Sequence, residues 1–176
     1  MKSKKMCAFL ASLLIGASLV ACSGNGATQQ KKIGTAVDGN EVKIESAAMK
    51  FAKDWVEGGY DLISTEELKK KIDANEDMII VDTMPASSFA KNHIKGAVNA
   101  ELPADGVDKV TPEQKDAFLK VLGEDKDKTI VIYCGFVGCA RSHVGGVIAK
   151  EAGYKNVLRQ PGGIIAWTDA GYELEK

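Results

Sequence analysis

The run Thr129-Ile130-Val131-Ile132-Tyr133 constrains this chain more than any other stretch. Five successive β-branched or aromatic residues, too few for a helix and with no polar alternation, read as a strand buried on both faces. A strand of that kind needs a helical layer on each side of its sheet, which selects an α/β architecture. Met78-Ile79-Ile80-Val81, ending at Asp82, is a second such run. Ala97-Val98-Asn99 and Asn156-Val157-Leu158 are shorter strand candidates.

Helical signals fall between these runs. In Ser64-Thr65-Glu66-Glu67 the Ser64 hydroxyl and the Glu67 carboxylate can satisfy each other's helix-end amides, a capping box opening a helix to about Ala74. Residues 86–92 suit one or two helical turns. Thr111-Pro112-Glu113-Gln114 opens another helix, with proline at its first position and Gly123 as its stop. Two more follow, from about Ala140 to Ala152, closed by Gly153, and over residues 163–170. Alternating strands and helices predict a small central, mostly parallel sheet flanked by helices on both faces.

The N-terminal end reads differently. Lys2, Lys4 and Lys5 precede an apolar run from Cys7 to Ala21, the pattern of a charged region and apolar core of an export signal. Leu19-Val20-Ala21-Cys22 resembles the bacterial lipobox, which implies cleavage before Cys22 and acylation of that cysteine. The expected organisation is a lipoprotein signal peptide over 1–21 and a lipid-anchored flexible tether over 22–45. A helical extension follows over 46–59, begun at Ser46, and one α/β domain over 60–176. Ala48, Phe51, Ala52, Trp55 and Val56 are the expected packing side of the extension. The expected location is the extracytoplasmic side of a bacterial membrane, held through lipid on Cys22.

The charge balance is near neutral, 23 Lys+Arg against 24 Asp+Glu, and cleavage would leave 20 against 24. That balance argues against nucleic acid as a partner, since such surfaces need clustered positive charge. Lys69-Lys70-Lys71 suits the wet face of a helix. There is no Cys/His cluster of metal-binding type. Of the four cysteines, Cys7 leaves with the leader and Cys22 takes the lipid, so Cys134 and Cys139 remain as thiols.

Both remaining cysteines lie in Cys134-Gly135-Phe136-Val137-Gly138-Cys139-Ala140-Arg141-Ser142, which joins the central strand to a helix. Reactive groups in parallel sheets sit at the carboxyl ends of strands. There, loop amides, the positive end of the next helix and Arg141 would favour a thiolate at Cys134. Gly135 and Gly138 let the backbone curl so that N–H groups point inward. The expectation is an anion-binding cup formed by residues 135–141 with a nucleophile at its floor. A buried structural cysteine is the alternative that the loop alone leaves open. Asp82, on the same strand edge, is expected to bond the loop amides or Arg141, with Ser142 as a further support. Phe136 and Val137 would form a pocket wall or a partner contact.

Several pieces in chain order resemble the rhodanese family: Ile63-Ser64-Thr65-Glu66-Glu67-Leu68, Ile80-Val81-Asp82-Thr83, Phe89 and His93-Ile94-Lys95-Gly96-Ala97-Val98-Asn99. Then come Val131-Ile132-Tyr133-Cys134, Arg141-Ser142, Pro161-Gly162-Gly163-Ile164-Ile165-Ala166-Trp167 and Gly171-Tyr172. The resemblance spans about residues 60–174. It implies a rhodanese fold and a sulfurtransferase that needs no cofactor. Cys134 would attack the outer sulfur of an anionic donor such as thiosulfate, and a thiol or cyanide would take the sulfur from the persulfide. Arg141 would steer the donor. The chain also departs from the family pattern. Six residues, 135–140, separate Cys134 from Arg141, more than family sulfurtransferases usually place there. Asp82-Thr83-Met84 stands where the family has Asp-x-Arg. The longer loop makes a phosphatase or arsenate reductase conceivable.

Cys139 could act as a resolving thiol that attacks a Cys134 persulfide, with a thiol reductase as partner, or pack as a small apolar side chain. A redox module cycling Cys134 and Cys139 and a non-catalytic binding module are the other readings. His93 suits a turn before the next strand, and His143 a place near the site. Trp167 and Phe89 suit the core.

Overall fold

The structure is a computed structural model that describes residues 40–176. The expected signal peptide, Cys22 and the tether as far as residue 39 lie outside the described residues.

The two apolar runs form strands β2 (Met78–Asp82) and β5 (Thr129–Tyr133). With β1 (Asp61–Leu62), β4 (Ala97–Asn99) and β6 (Asn156–Arg159) they build a five-stranded sheet in the order β1-β6-β5-β2-β4. Every pairing in it is parallel, and β5 is central. Side chains along β5 alternate between two cores, as strand geometry requires. Ile130 and Ile132 join Phe118, Leu122, Val144 and Ile148 on one face. Val131 and Tyr133 join Leu68, Ile94 and Trp167 on the other. Helices α4 (Pro112–Leu122) and α5 (Arg141–Glu151) cover the first face; α2 (Thr65–Asp73), α3 (Ala86–Phe89) and α6 (Gly163–Asp169) cover the second. The capping box expected at Ser64 is present, and a second one joins Thr111 and Gln114 at the helix start expected there.

The short antiparallel pair β3 (His93–Ile94) and β7 (Leu174–Glu175) has no clear signature in the sequence. His93 Nδ1 lies 3.1 Å from the Phe89 carbonyl and its ring stacks on Phe89, so it holds a turn.

Helix α1 (Glu41–Gly58) differs from expectation in two ways. It starts five residues earlier, so Ser46 lies inside the helix and residues 41–45 are helical. It also packs by another face. Ala48, Ala52, Trp55 and Val56 are exposed, while Ala47 and Phe51 are half-buried and Asp54 and Gly58 are buried. Positions 47, 51, 54 and 58 form one helical stripe, laid along α5. A buried ion pair and close approach choose this face over apolar content. Asp54 meets Arg159, and the Tyr60 ring occupies the space that a side chain at Gly58 or Gly146 would fill.

Candidate active site

Cys134 follows the last residue of β5, at the carboxyl edge of the sheet, and its side chain is 1% exposed. The loop to α5 is held from outside by α6. Ile164 N–H donates to the Cys134 carbonyl at 2.9 Å, and Ile165 N–H to the Gly135 carbonyl at 3.1 Å. Gly163 permits this contact: its φ is +63°, and a Cβ there would strike the Cys134 and Gly135 backbone. The Gly162-Gly163 pair read from the sequence thus seats the reactive loop.

Amides of Gly135 and Arg141 reach the Cys139 sulfur, and that of Ser142 reaches Cys134. Cys134 Sγ lies 3.1 Å from Ser142 Oγ and 3.5 Å from the Cys139 carbonyl. Burial pushes the Cys134 thiol well up; hydrogen bonding to Cys139 adds to that, and the Ser142 hydroxyl and amide oppose it. Cys139, half-buried, is pulled down to about 6 by its hydrogen bond from Cys134, aided by the Gly135 and Arg141 amides and the Arg141 charge, against its own desolvation. Burial thus opposes a resting thiolate on Cys134, whereas the Gly135 and Arg141 amides and the Arg141 charge favour charge on Cys139. This corrects the expectation of a resting Cys134 thiolate, and its cause is depth: Cys134 sits beneath the loop while Cys139 faces the amides. The pair titrates as a unit, holding one charge easily and a second with difficulty. Both cysteines are free thiols.

Two expected contacts are absent. Arg141 Nη1 donates to the Leu102 carbonyl, so its guanidinium is turned toward the chain after β4 and acts on the site through its charge. Asp82 accepts from the Met84 amide at 2.8 Å and bonds the Tyr133 hydroxyl, reaching neither the loop amides nor Arg141. Burial pushes the Asp82 carboxyl up. Met84, standing where the family pattern has a basic residue, abuts Gly135. Phe136 and Val137 are 54% and 39% exposed at the loop tip, and Ala140 is buried just before α5.

The residue that sequence reading missed is Arg159, the last of β6 and fully buried. Its Nε–H donates to Ser142 Oγ, Nη1–H to Tyr60 Oη and Nη2–H to the Cys139 carbonyl, each at 2.9 Å. Asp54 Oδ2 lies 3.7 Å from Nη1 as its counter-ion. Tyr60 Oη also lies 3.0 Å from His143 Nδ1, which links His143 to Cys134 only through Tyr60, Arg159 and Ser142 in turn. Burial pushes His143 down and Tyr60 up, so both are neutral near pH 7. The arginine at the end of the otherwise apolar Val157-Leu158-Arg159 was the available signal: a cation on the same sheet edge as the nucleophile. Ser142, expected as a support, accepts from Arg159 and is left with its own O–H to donate to Cys134. That chain of donors polarises toward sulfur and stabilises a thiolate or persulfide there.

The rhodanese-like domain family matches residues 64–170 of this geometry. The chain belongs to that family. A sulfurtransferase of Allochromatium vinosum is 29% identical over 112 residues, 64% of this chain and 92% of that protein. The HTH-type transcriptional regulator Rv0324 of Mycobacterium tuberculosis is 28% identical over 116 residues, 66% of this chain but 45% of its own length. This chain thus spans less than half of that relative. Among solved structures, thiosulfate sulfurtransferase from Pseudomonas aeruginosa superposes with a TM-score of 0.57 at 21% identity, covering 80% of this chain and 26% of that one. At that identity the likeness speaks for the fold. The rhodanese-like family and its sulfurtransferase member support sulfur transfer as the general chemistry of this chain.

Proposed function

We propose that this chain is a lipid-anchored, extracytoplasmic sulfurtransferase that forms a persulfide on Cys134. The observation that carries the reading is the placement of Cys134 Sγ at the end of the central strand, 3.1 Å from a Ser142 hydroxyl that Arg159 polarises. The shared proton moves from Cys134 to the Cys139 thiolate, which makes Cys134 the nucleophile without changing the charge of the pair. Cys134 then attacks the outer sulfur of thiosulfate. A new S–S bond forms, the sulfur–sulfur bond of the donor breaks, and sulfite leaves with the electron pair. The persulfide anion is held by the Ser142 hydroxyl and amide. A cyanide or thiolate acceptor attacks the terminal sulfur, leaves as thiocyanate or a new persulfide, and returns the Cys134 thiolate.

Cys139 supports a second exit. Its depressed pKa and its place beside Cys134, whose Sγ lies 3.5 Å from the Cys139 carbonyl, suit attack on the Cys134 sulfur of the persulfide. That step forms a Cys134–Cys139 disulfide and expels hydrosulfide, so the transferred sulfur is reduced and the two thiols are oxidised. A dithiol reductase would reset the pair. Lipid on Cys22 would hold this cycle at the outer side of a membrane.

Intact-mass analysis of the reduced full chain after brief exposure to thiosulfate tests both. One added sulfur that needs Cys134 is the expected product. A wild-type adduct that decays to a disulfide, and persists in Cys139→Ser, assigns Cys139 as resolving thiol. No adduct from thiosulfate or from a persulfide donor would overturn the reading. Metabolic labelling with a fatty acid, lost in Cys22→Ala, tests the anchor.

A further inference from the structure

Beside the loop lies a cleft of about 480 Å³, walled by Val42, Lys43, Ser46, Ala47 and Lys50 of α1 and by Gly138 of the loop. Positions 43, 46, 47 and 50 recur at helical spacing, so one face of α1 forms that wall. Gly138 directly precedes Cys139, whose carbonyl lies 3.5 Å from Cys134 Sγ. The cleft is therefore walled in part by the reactive loop, at the residue before Cys139.

The cations at the sulfurs are already committed. Arg159 has no exposed surface, and its N–H groups go to Ser142, Tyr60 and Cys139. Arg141 is tied to the Leu102 carbonyl, and Met84 is apolar. None of these is placed to follow an incoming anion. Lys43 and Lys50 are. Lys43 Nζ makes a 3.4 Å contact with Asn40 Oδ1 on the surface, and the Lys50 side chain is 45% exposed. Lys50 pairs with Asp54 at 2.7 Å, yet Asp54 is also shared with Arg159, so these three groups carry net positive charge. Among the described residues, none that line the cleft is acidic. Apolar Val42, which is exposed, and half-buried Ala47 complete a site that offers two ammonium groups.

We propose that this cleft is where the anionic sulfur compound docks, with Lys43 and Lys50 as its recognising cations. Helix α1 lies outside the span matched by the family, so the extension supplies charge that this chain's loop does not. The assignment rests on the sulfur-transfer reading of the loop, and it specifies which residues select the substrate.

The test is an equilibrium measurement that needs no turnover. Thiosulfate is titrated into the isotope-labelled full chain carrying Cys134→Ser, at low ionic strength, while backbone amide shifts are followed. Saturable shifts are expected at Lys43, Ser46 and Gly138. Adding Lys43→Ala and Lys50→Ala should weaken binding about tenfold, the loss of two solvent-exposed ion pairs that each contribute a few-fold. Lys43→Arg with Lys50→Arg should retain it, which separates charge from folding; an unchanged amide spectrum of the free alanine variant checks the fold directly. Raising the salt should weaken binding to the lysine form and leave the alanine form nearly unaffected. Shifts that map elsewhere, an equal affinity in the alanine variant, or no saturable shift would overturn the proposal. If this binding pattern holds while the wild type forms no persulfide, the sulfur-transfer reading falls and the anion site stands.

Discussion

Arg159 Nε donates to Ser142 Oγ at 2.9 Å, and that same oxygen lies 3.1 Å from Cys134 Sγ. A buried guanidinium at the end of β6 thus reaches the nucleophile at the end of β5 through one hydroxyl. Because its other nitrogens hold Tyr60 and the Cys139 carbonyl, the same side chain fixes the loop and the N-terminal extension together.

Arg159→Met should separate these roles. Losing the guanidinium leaves Asp54 with Lys50 as its cation and Ser142, Tyr60 and the Cys139 carbonyl without their donor, which is expected to cost about 1–3 kcal/mol in denaturant unfolding. Adding Asp54→Leu should recover part of that stability, because an apolar pair can replace a buried ion pair at little cost. It should not recover the single-turnover rate of persulfide formation, since Ser142 would still lack its donor. Full recovery of the rate would refute the relay.

Ser142→Ala removes the hydroxyl that stabilises charge on Cys134. The pH at which Cys134 becomes reactive should move up, and its rate at pH 7 should fall roughly tenfold, as expected for one hydrogen bond to a charged group. Ser142→Thr keeps the hydroxyl and should retain the wild-type pH profile. Thiol alkylation followed by peptide mass mapping reads both, and an unchanged Cys134 profile in the alanine variant would exclude the contact.

The cysteine pair also makes stability depend on pH, with a sign that follows from the two shifts. Cys139 has a folded value of about 6, below that of an unfolded thiol at about 8.5. Between these values the unfolded chain holds the extra proton, so this contribution to stability grows as pH rises and is lost as pH falls through 6. Cys134 is shifted the other way, so above the unfolded value its contribution declines as pH rises further. The difference in unfolding free energy between wild type and Cys139→Ser should therefore rise from pH 6 to about 8.5. A flat difference over that range would contradict the charge favoured on Cys139.

Gly163→Ala should damage fold and site together, because φ is +63° and the new Cβ would strike the Cys134 and Gly135 backbone. Gly171→Ala is the control, with φ of +74° and open space around the Cβ, and should cost only the backbone strain of about 1–2 kcal/mol. Thermal unfolding and persulfide yield compare the two. Equal losses would mean that α6 does not seat the loop.

The lengths and composition of Met78–Asp82 and Thr129–Tyr133 were enough to determine buried parallel strands, because no other short element can hide two apolar faces. Capping chemistry at Ser64 was legible because its partner lies three residues on, and the helix start at Thr111 because Pro112 fits the first helical position. Local order likewise placed Cys134 at a strand end and both thiols in one loop. Tertiary structure alone decided which sulfur carries the charge, since burial depth and amide direction depend on how the loop folds under α6. It also decided that Arg159 serves Ser142, a contact between residues 17 apart, one ending β6 and the other in the first turn of α5, which meet because β6 lies beside β5. The packing face of α1 was decided the same way. The apolar stripe through Ala48, Ala52 and Trp55 pointed outward, because pairing Asp54 with a buried arginine outweighed the burial of small side chains. Periodicity records which face is apolar, whereas a buried charge must go where its partner is.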